Sequence, residues 1–367
     1  MEKKLGFGCM RLPMKGSEVN YDEFNKMIDY YLEQGFNYFD TAHGYINGKS
    51  ETAIRDCLAS RYPRERFVLT NKLTKPYFNN EEDIRPFFEK QLELCGVDYF
   101  DYYLMHAQDK NIYKHFEKCN AYKIAQELKA EGKIKHVGIS FHDTADVLDM
   151  ILTEHPEIEI VQIQFNYIDF NDSGVQSKAV YEVCRKHNKP VLVMEPVKGG
   201  GLVNLPSEAK QIFDNINVGE DYSYASYAIR FAASFDGMFK VLSGMSTFEQ
   251  LMDNISYMKD FEPLNDEEFK AIDAVVEILK KLGGIPCTGC RYCVEGCPMK
   301  ISIPDLFSCF NAKKQFNDWN SSYYYNIHTQ NNGKASDCIK CGKCEMICPQ
   351  HLKIRDLLEE VVETFET

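Results

Sequence analysis

Two cysteine arrays of identical spacing near one end of this 367-residue chain constrain its fold more than any other feature. Cys287, Cys290, Cys293 and Cys297 stand at intervals of three, three and four residues, with Pro298 next. Cys338, Cys341, Cys344 and Cys348 repeat the pattern, followed by Pro349. The remaining cysteines (Cys9, Cys57, Cys95, Cys119, Cys184 and Cys309) are scattered and read as small buried hydrophobes. The opening Met1-Glu2-Lys3-Lys4-Leu5 has no apolar signal region, and no apolar run approaches the roughly 20 residues of a spanning helix. Clustered thiols in such a chain are expected to ligate metal in a reducing cytoplasm rather than to form disulfides.

Three thiolates at three-residue intervals can hold three corners of an iron–sulfur cubane. The fourth cysteine, just before a proline, serves the other cluster in two-cluster ferredoxins. The spacing therefore predicts two [4Fe–4S] clusters, one on Cys287, Cys290, Cys293 and Cys348, the other on Cys338, Cys341, Cys344 and Cys297. Zinc is the alternative, but its paired Cys-x-x-Cys knuckles require neither four cysteines per array nor the repeated proline. The segment between the arrays carries helix-like stretches and the aromatics Trp319, Tyr323, Tyr324 and Tyr325, which are expected to pack in a core. It resembles the larger helical two-cluster ferredoxin domains.

Ahead of the arrays, short apolar runs alternate with amphipathic stretches, as in parallel strands joined by crossover helices. Strands are expected at Leu5–Cys9, Asn37–Phe39, Phe67–Asn71, Tyr102–Met105, His136–Ile139, Ile160–Gln164, Val191–Met194 and Phe239–Leu242. Helical patterns fall between them. Eight such units in about 250 residues fit a (β/α)₈ TIM barrel, an α/β fold. A doubly wound sheet is the alternative, but after Gly6-Phe7-Gly8 the chain continues Met10-Arg11-Leu12-Pro13, where a dinucleotide fingerprint would open a helix. Asn265-Asp266-Glu267-Glu268 then reads as a capped helix start, and Gly283-Gly284 as its stop. The expected organisation is a barrel over 1–262, a linking helix over 263–284 and a mainly helical ferredoxin-like domain over 285–367.

A formal charge of −13 argues against nonspecific binding to nucleic acid or anionic lipid. It serves solubility and would also suit a basic redox partner protein.

In a barrel of this kind, chemistry sits where strands end and loops begin. Asp40 and Tyr45 follow the second strand, Lys72 ends the third and His106 ends the fourth. Each residue alone is weak, because the chain has 22 tyrosines and nine histidines. Together at matching strand ends they make chemical sense. Hydride addition to a carbonyl creates an alkoxide that needs a proton. A phenol with a pKa near 10 is a poor acid at neutral pH, a neighbouring ammonium lowers that pKa, and a carboxylate holds the ammonium in place. A histidine can orient the carbonyl oxygen.

On these residues the stretch from about 4 to 260 resembles the aldo/keto reductase family. Gly138-Ile139-Ser140 matches the family's carboxamide-binding position, with Phe141 where an asparagine is usual. Gln162 matches its amide-binding glutamine. Met194 stands where a tyrosine normally stacks on nicotinamide. Ser243-Gly244-Met245-Ser246, with Gln250 and Asn254, resembles its phosphate and adenine segment. The resemblance thus implies Ser140, Gln162, Met194, Gly244, Ser246, Gln250 and Asn254 as cofactor contacts and NADP, or NAD, as cofactor. The last segment contains no Lys or Arg, so weak discrimination between NADH and NADPH is expected unless Lys198 or Arg230 supplies a cation. Together with the arrays, the chain resembles the bacterial members that carry a two-cluster tail. The implied activity interconverts a small-molecule carbonyl and an alcohol, with the clusters in an electron-transfer, structural or redox-sensing role. The competing reading is an electron-transfer protein that uses its barrel as a docking scaffold.

Overall fold

The computed structural model describes residues 3–217, 222–281, 284, 285, 287, 289, 291–348 and 351–367, the side chain of residue 295 apart. Cys290, Gly283 and Pro349 lie outside the described residues. The chain forms two compact units. The first comprises 1–165, 179–196 and 225–264, and the second 166–178, 197–224 and 265–367. The second unit therefore takes in two segments that precede the predicted linking helix in sequence.

All eight strands of a closed parallel barrel lie in the first unit: β1 (Leu5–Gly8), β2 (Tyr38–Asp40), β3 (Val68–Leu73), β4 (Phe100–Gln108), β5 (Ile134–Phe141), β6 (Ile160–Gln164), β7 (Val191–Met194) and β8 (Met238–Ser243). Each strand pairs with its sequence neighbours, and β1 closes the ring on β8 through Phe7 and Ser243. The barrel is filled by side chains: Tyr38, Leu104, Ile160, Leu192 and Leu242 pack as one buried cluster. Burying each such side chain is worth roughly 1.5–3 kcal/mol. Gly138 of β5 is fixed by that packing. A Cβ there would come within 2.5 Å of the Ile160 side chain and 2.7 Å of Leu104.

The helices around the strands start and stop on readable signals. Helix α1 (Tyr21–Glu33) is capped by the Asn20 side chain and buries Phe24, Met27, Ile28, Tyr31 and Leu32, the three-and-four spacing of one helical face. Helix α2 (Lys49–Ile54) continues into a wider turn over Arg55–Ala59. Helix α3 (Glu81–Cys95) opens with a capping box between Asn80 and Asp83 and closes on Gly96, whose φ of 66° favours glycine. Two helices and a two-residue hairpin (Met14–Lys15 with Glu18–Val19) add to the sequence expectation. Helix α4 (Lys110–Lys118) precedes the expected α5 (Ala121–Ala130). Next come α6 (Ala145–Glu154) and α7 (Ser177–Lys186); α8 (Ser207–Ile216), the second addition, belongs to the second unit. Helices α9 (Tyr224–Ala233) and α10 (Phe248–Met258) follow.

The second unit is built on helices. Asn265 accepts from the backbone N–H groups of Glu267 and Glu268 at 2.9 and 3.0 Å, while Glu268 accepts from Asn265 at 2.9 Å. This reciprocal cap opens α11 (Asp266–Lys281), which packs on α8. The short α12 (Tyr292–Glu295) carries Cys293, and α15 (Lys343–Ile347) carries Cys344; the two pack against each other. Between them in sequence, α13 (Ile303–Phe316) lies against α14 (Asn320–Thr329) and the final α16 (Ile354–Phe365). Leu306, Phe307, Phe310, Tyr324, Tyr325, Ile354, Leu358 and Val361 form the core. Tyr324 and Tyr325 thus pack inside, whereas Trp319 is about half exposed. Among the described residues no helix is long and apolar enough to cross a membrane.

Candidate active site and cysteine sites

The ends of β2, β3, β4 and β6 bring the polar candidates together inside the first unit. Asp40 ends β2, and Lys72 stands one residue before the end of β3. Lys72 Nζ donates to Asp40 Oδ1 at 2.6 Å and to the Thr41 carbonyl at 2.9 Å, with both charged side chains sealed from solvent. Gln162 reaches the other Asp40 oxygen, Nε2 to Oδ2, at 3.4 Å. The Lys72 ammonium lies 4.9 Å from the centre of the Tyr45 ring. The Tyr45 ring in turn meets the His106 imidazole edge-on at 6.2 Å between centres.

Tyr45 is presented by a sharp turn. Its N–H bonds the Ala42 carbonyl at 3.0 Å, and the next two residues, Ile46 and Asn47, adopt left-handed φ values of 51° and 54°. A β-branched residue rarely takes that conformation, and such strain concentrates at functional sites. A second left-handed residue, Ala107, follows His106 at φ 54°. The Ser140 hydroxyl accepts its N–H at 2.7 Å. Ser140 therefore braces the turn that carries His106, while its hydroxyl proton remains available to a ligand.

Electrostatics favour a neutral phenol and a charged lysine. Burial raises the Tyr45 pKa more than Lys72 pulls it down. The ammonium alone would lower the phenol's pKa, as the sequence implies; desolvation of the phenolate reverses the sign. Burial also works against the Lys72 charge, but Asp40 and Tyr45 outweigh it and hold Lys72 above its ordinary value. Burial pushes the Asp40 carboxyl up, partly offset by Lys72. Burial and the nearby Lys72 and His142 push His106 well below the usual imidazole value, so its ring is neutral. Its Nδ1 stands 2.7 Å from the Thr74 hydroxyl.

Beneath Lys72 lies a polar network that sequence reasoning missed. Glu51, fully buried on α2, accepts from Asn71 Nδ2 at 2.8 Å and Gln91 Nε2 at 3.2 Å. Its second oxygen meets His43 Nδ1 at 2.6 Å. Gln91 and Asn71 also bond the Lys72 backbone carbonyl and N–H, at 3.0 and 2.8 Å. The peptide that aims Lys72 is thereby pinned from below.

The remaining candidate cofactor residues line the ends of β7 and β8. Met194 closes β7 and accepts the Phe165 N–H at 3.1 Å through its carbonyl. At the end of β8, Ser243 Oγ donates to Asn254 Oδ1 at 2.6 Å, and beyond it Gln250 Oε1 accepts the Ser246 N–H at 2.7 Å. Gly244 packs against Arg11, whose Cβ would lie 3.4 Å from a Cβ at 244. The Ser246 hydroxyl donates to the Arg11 carbonyl at 3.0 Å. Arg11 therefore places a cation beside a segment that has none of its own, 3.5 Å from Glu195 at the end of β7. Neither expected reserve cation is comparably placed. Lys198 is buried in the second unit between Asp169 at 2.7 Å and Asp318 at 3.1 Å. Arg230 is 4% exposed, with Nε directed at the Glu262 carbonyl at 3.4 Å.

In the second unit, Cys297 of the first array lines the same cavity as Cys338, Cys341 and Cys344 of the second. Ile301, Ile303 and Leu358 form its apolar wall. Four thiols around one pocket form a donor set that fits a cubane. Of the other ligand candidates, Cys287 lines a separate cavity of about 590 Å³, Cys293 is buried, and Cys348 is half-buried against the unit's core.

Residues 4–277 match the model of the aldo/keto reductase family, and residues 286–352 match that of a 4Fe-4S dicluster domain. The oxidoreductase YqkF of Bacillus subtilis is 26% identical over 302 residues, covering 74% of this chain and 92% of its own. An NADH-specific methylglyoxal reductase of Escherichia coli is 27% identical over 194 residues, covering 47% of this chain and 57% of its own. Among solved structures, an aldo-keto reductase from Klebsiella pneumoniae in complex with NADPH superposes with a TM-score of 0.61 at 18% identity, over 75% of this chain and 95% of its own. The holo form of an aldo-keto reductase from Bacillus halodurans gives 0.59 at 23% identity, over 74% and 91%.

Proposed function

Since this chain belongs to the aldo/keto reductase family and carries a C-terminal 4Fe-4S dicluster domain, we propose that it interconverts a small-molecule carbonyl and its alcohol with NADP or NAD in the cytoplasm. The buried contact of Lys72 with Asp40 beneath the Tyr45 ring carries the reading. A barrel serving only as a scaffold has no use for a sealed ion pair, whose desolvation is costly.

When bound, a reduced nicotinamide supplies the hydride. Every other role falls to the chain. Tyr45, kept protonated by burial, delivers a proton to the carbonyl oxygen. Lys72 stabilises the phenolate that results, and Asp40 keeps Lys72 charged and aimed. Neutral His106 orients the substrate oxygen through the ring nitrogen not facing Thr74. Gln162 and Ser140 would meet the carboxamide. Arg11, Gly244, Ser246, Gln250 and Asn254 would hold the phosphates and adenosine, and Met194 the ring face.

The shared cavity supports the assignment of Cys297, Cys338, Cys341 and Cys344 to one cubane; Cys287, Cys290, Cys293 and Cys348 are left for the other. When assembled, such clusters supply one-electron chemistry.

Anaerobically purified protein, assayed for NADPH and NADH oxidation over a panel of aldehydes and ketones, tests the proposal. Tyr45→Phe should lower carbonyl reduction by at least about 10²-fold while leaving nucleotide affinity nearly unchanged. Turnover by the variant at the wild-type rate would remove Tyr45 from the mechanism.

A further inference from the structure

Four exposed apolar side chains of the second unit line one cysteine cavity or lie on the helix that supplies one of its cysteines. Ile339 is 59% exposed, Met346 81%, Ile347 54% and Met299 37%. Ile339 and Met299 line the cavity that holds Cys297, Cys338, Cys341 and Cys344. Met346 and Ile347 lie on α15, which carries Cys344. Cys341 itself is exposed. Concentrated apolar exposure of this kind marks an interaction surface.

Two exposed, unpaired cations stand at the rim. Lys343 lines the cavity and Lys300 follows Met299; among the described residues neither has an ion-pair partner. Lys340 and Arg355 add positive charge but are paired with Glu359 and Glu345. The carboxylate of Glu345, the acid nearest in sequence, is thereby neutralised at 2.7 Å. Charges separated by more than about 8 Å are largely screened at physiological ionic strength. A docking partner therefore responds to these two unpaired lysines more than to the net −13 of the whole chain.

We propose that this face is the docking surface for an acidic protein that carries one electron at a time, seated over Cys341 with its carboxylates on Lys300 and Lys343. The proposal rests on reading the four cysteines as cubane ligands. It reverses the sign of the partner that the overall composition suggests. A second copy of the chain fits less well, because a two-fold contact through this patch would set the free lysines against their own mates. An exposed cysteine lining the same cavity favours a redox protein over a lipid surface, since only the former gains from closeness to a thiolate-bound cluster.

The test uses the anaerobic holoprotein and a purified acidic flavodoxin as probe, with affinity read by interferometry at 50 and 200 mM salt. Binding should weaken with salt. It should fall at least tenfold for Met346→Asp and for the double change Lys300→Glu with Lys343→Glu, and less for the milder Lys300→Gln. Iron content should remain at about eight atoms per chain in all of them, as two cubanes require. Equal binding by fully iron-loaded variants would overturn the docking surface. A chain without iron would instead defeat the cluster reading beneath it. Binding of basic cytochrome c as tightly as flavodoxin would also overturn the proposal. So would co-sedimentation with phosphatidylglycerol vesicles, or dimerisation, if either is abolished by Met346→Asp.

Discussion

Lys72 Nζ lies 2.6 Å from Asp40 Oδ1, and neither side chain reaches solvent. Two consequences follow for Lys72→Met. It leaves a carboxylate buried without its partner, at a cost of about 3–5 kcal/mol in stability, and it removes the charge that stabilises the Tyr45 phenolate. Urea denaturation should show the first effect and carbonyl reduction the second, with a loss of at least about 10²-fold. Adding Asp40→Asn should restore most of the stability but none of the rate. The pH profile gives a further check. Reduction needs protonated Tyr45, so the rate holds below the Tyr45 pKa and falls above it. Burial raises that pKa, which places the alkaline limb above the ordinary phenol value of about 10. Without Lys72 the limb should move higher still. A limb below 9 in the wild type would contradict this picture.

A second expectation concerns Thr74, whose hydroxyl faces His106 Nδ1 at 2.7 Å. The bond fixes the ring, and its neutral state follows from burial. Thr74→Val should reduce kcat/KM by about tenfold, the worth of one hydrogen bond of about 1 kcal/mol or slightly more. Nucleotide affinity should not change. Because the His106 pKa is pushed well below 6.5, its imidazole carbon protons should not shift in NMR spectra between pH 6.5 and 8. Titration near pH 6.5 would show a ring open to water.

The barrel was readable because β-strands buried on both faces are nearly continuous apolar runs, as in Val191-Leu192-Val193-Met194. Helices α4 and α8 were not, because each shows too few buried positions to set a period: Tyr113 and Phe116 in one, Ala209 and Phe213 in the other. The tetrad was legible because each member falls at the end of a recognisable strand or in the loop after it. Glu51 was not, since a glutamate at the start of a helix reads as a solvated first-turn acid. Its partners His43, Asn71 and Gln91 come from other elements. Arg11 escaped notice for the same reason, lying after β1 while the segment it serves follows β8. Lys198 misled in the opposite direction. A lysine in a glycine-rich turn looks free, but Asp169 and Asp318 take up its charge.

The crossed ligand set gives a third expectation. Cys297 belongs to the first array by sequence but lines the cavity of the second. Cys297→Ser should damage the cluster nucleated by Cys338, Cys341 and Cys344, leaving the other one in place. Iron and sulfide counts should fall from about eight toward about four of each, because one cubane of four irons is lost. Electron paramagnetic resonance of the reduced variant should lose the magnetic coupling between two clusters. If Cys338→Ser and Cys297→Ser removed different clusters, the assignment would be uncrossed.

The last expectation concerns nucleotide choice. The stretch from Gly244 to Asn254 has no cation, and its neutral side chains are partly committed to one another: Ser246 N–H to Gln250, and Ser243 to Asn254. Arg11 alters the balance, with its aliphatic stem against Gly244 and its guanidinium 3.5 Å from Glu195. A partly exposed guanidinium that leaves the Glu195 carboxylate for a phosphate exchanges one charge-assisted contact for a stronger, bidentate one. Arg11→Met should therefore weaken NADPH binding by about tenfold or more, since hydrogen bonds to charged groups are worth about 1.5–3 kcal/mol. NADH, with one phosphate group fewer, should lose less. Glu195→Gln should tighten both, because it removes the competitor that holds the guanidinium. Wild-type affinity for NADPH should fall as salt rises, and the slope should flatten in Arg11→Met. Fluorescence titrations of both nucleotides at two salt concentrations would measure this. Parallel slopes and unchanged affinities would mean that Arg11 serves only to anchor Glu195, and that the nucleotide is held by neutral donors alone.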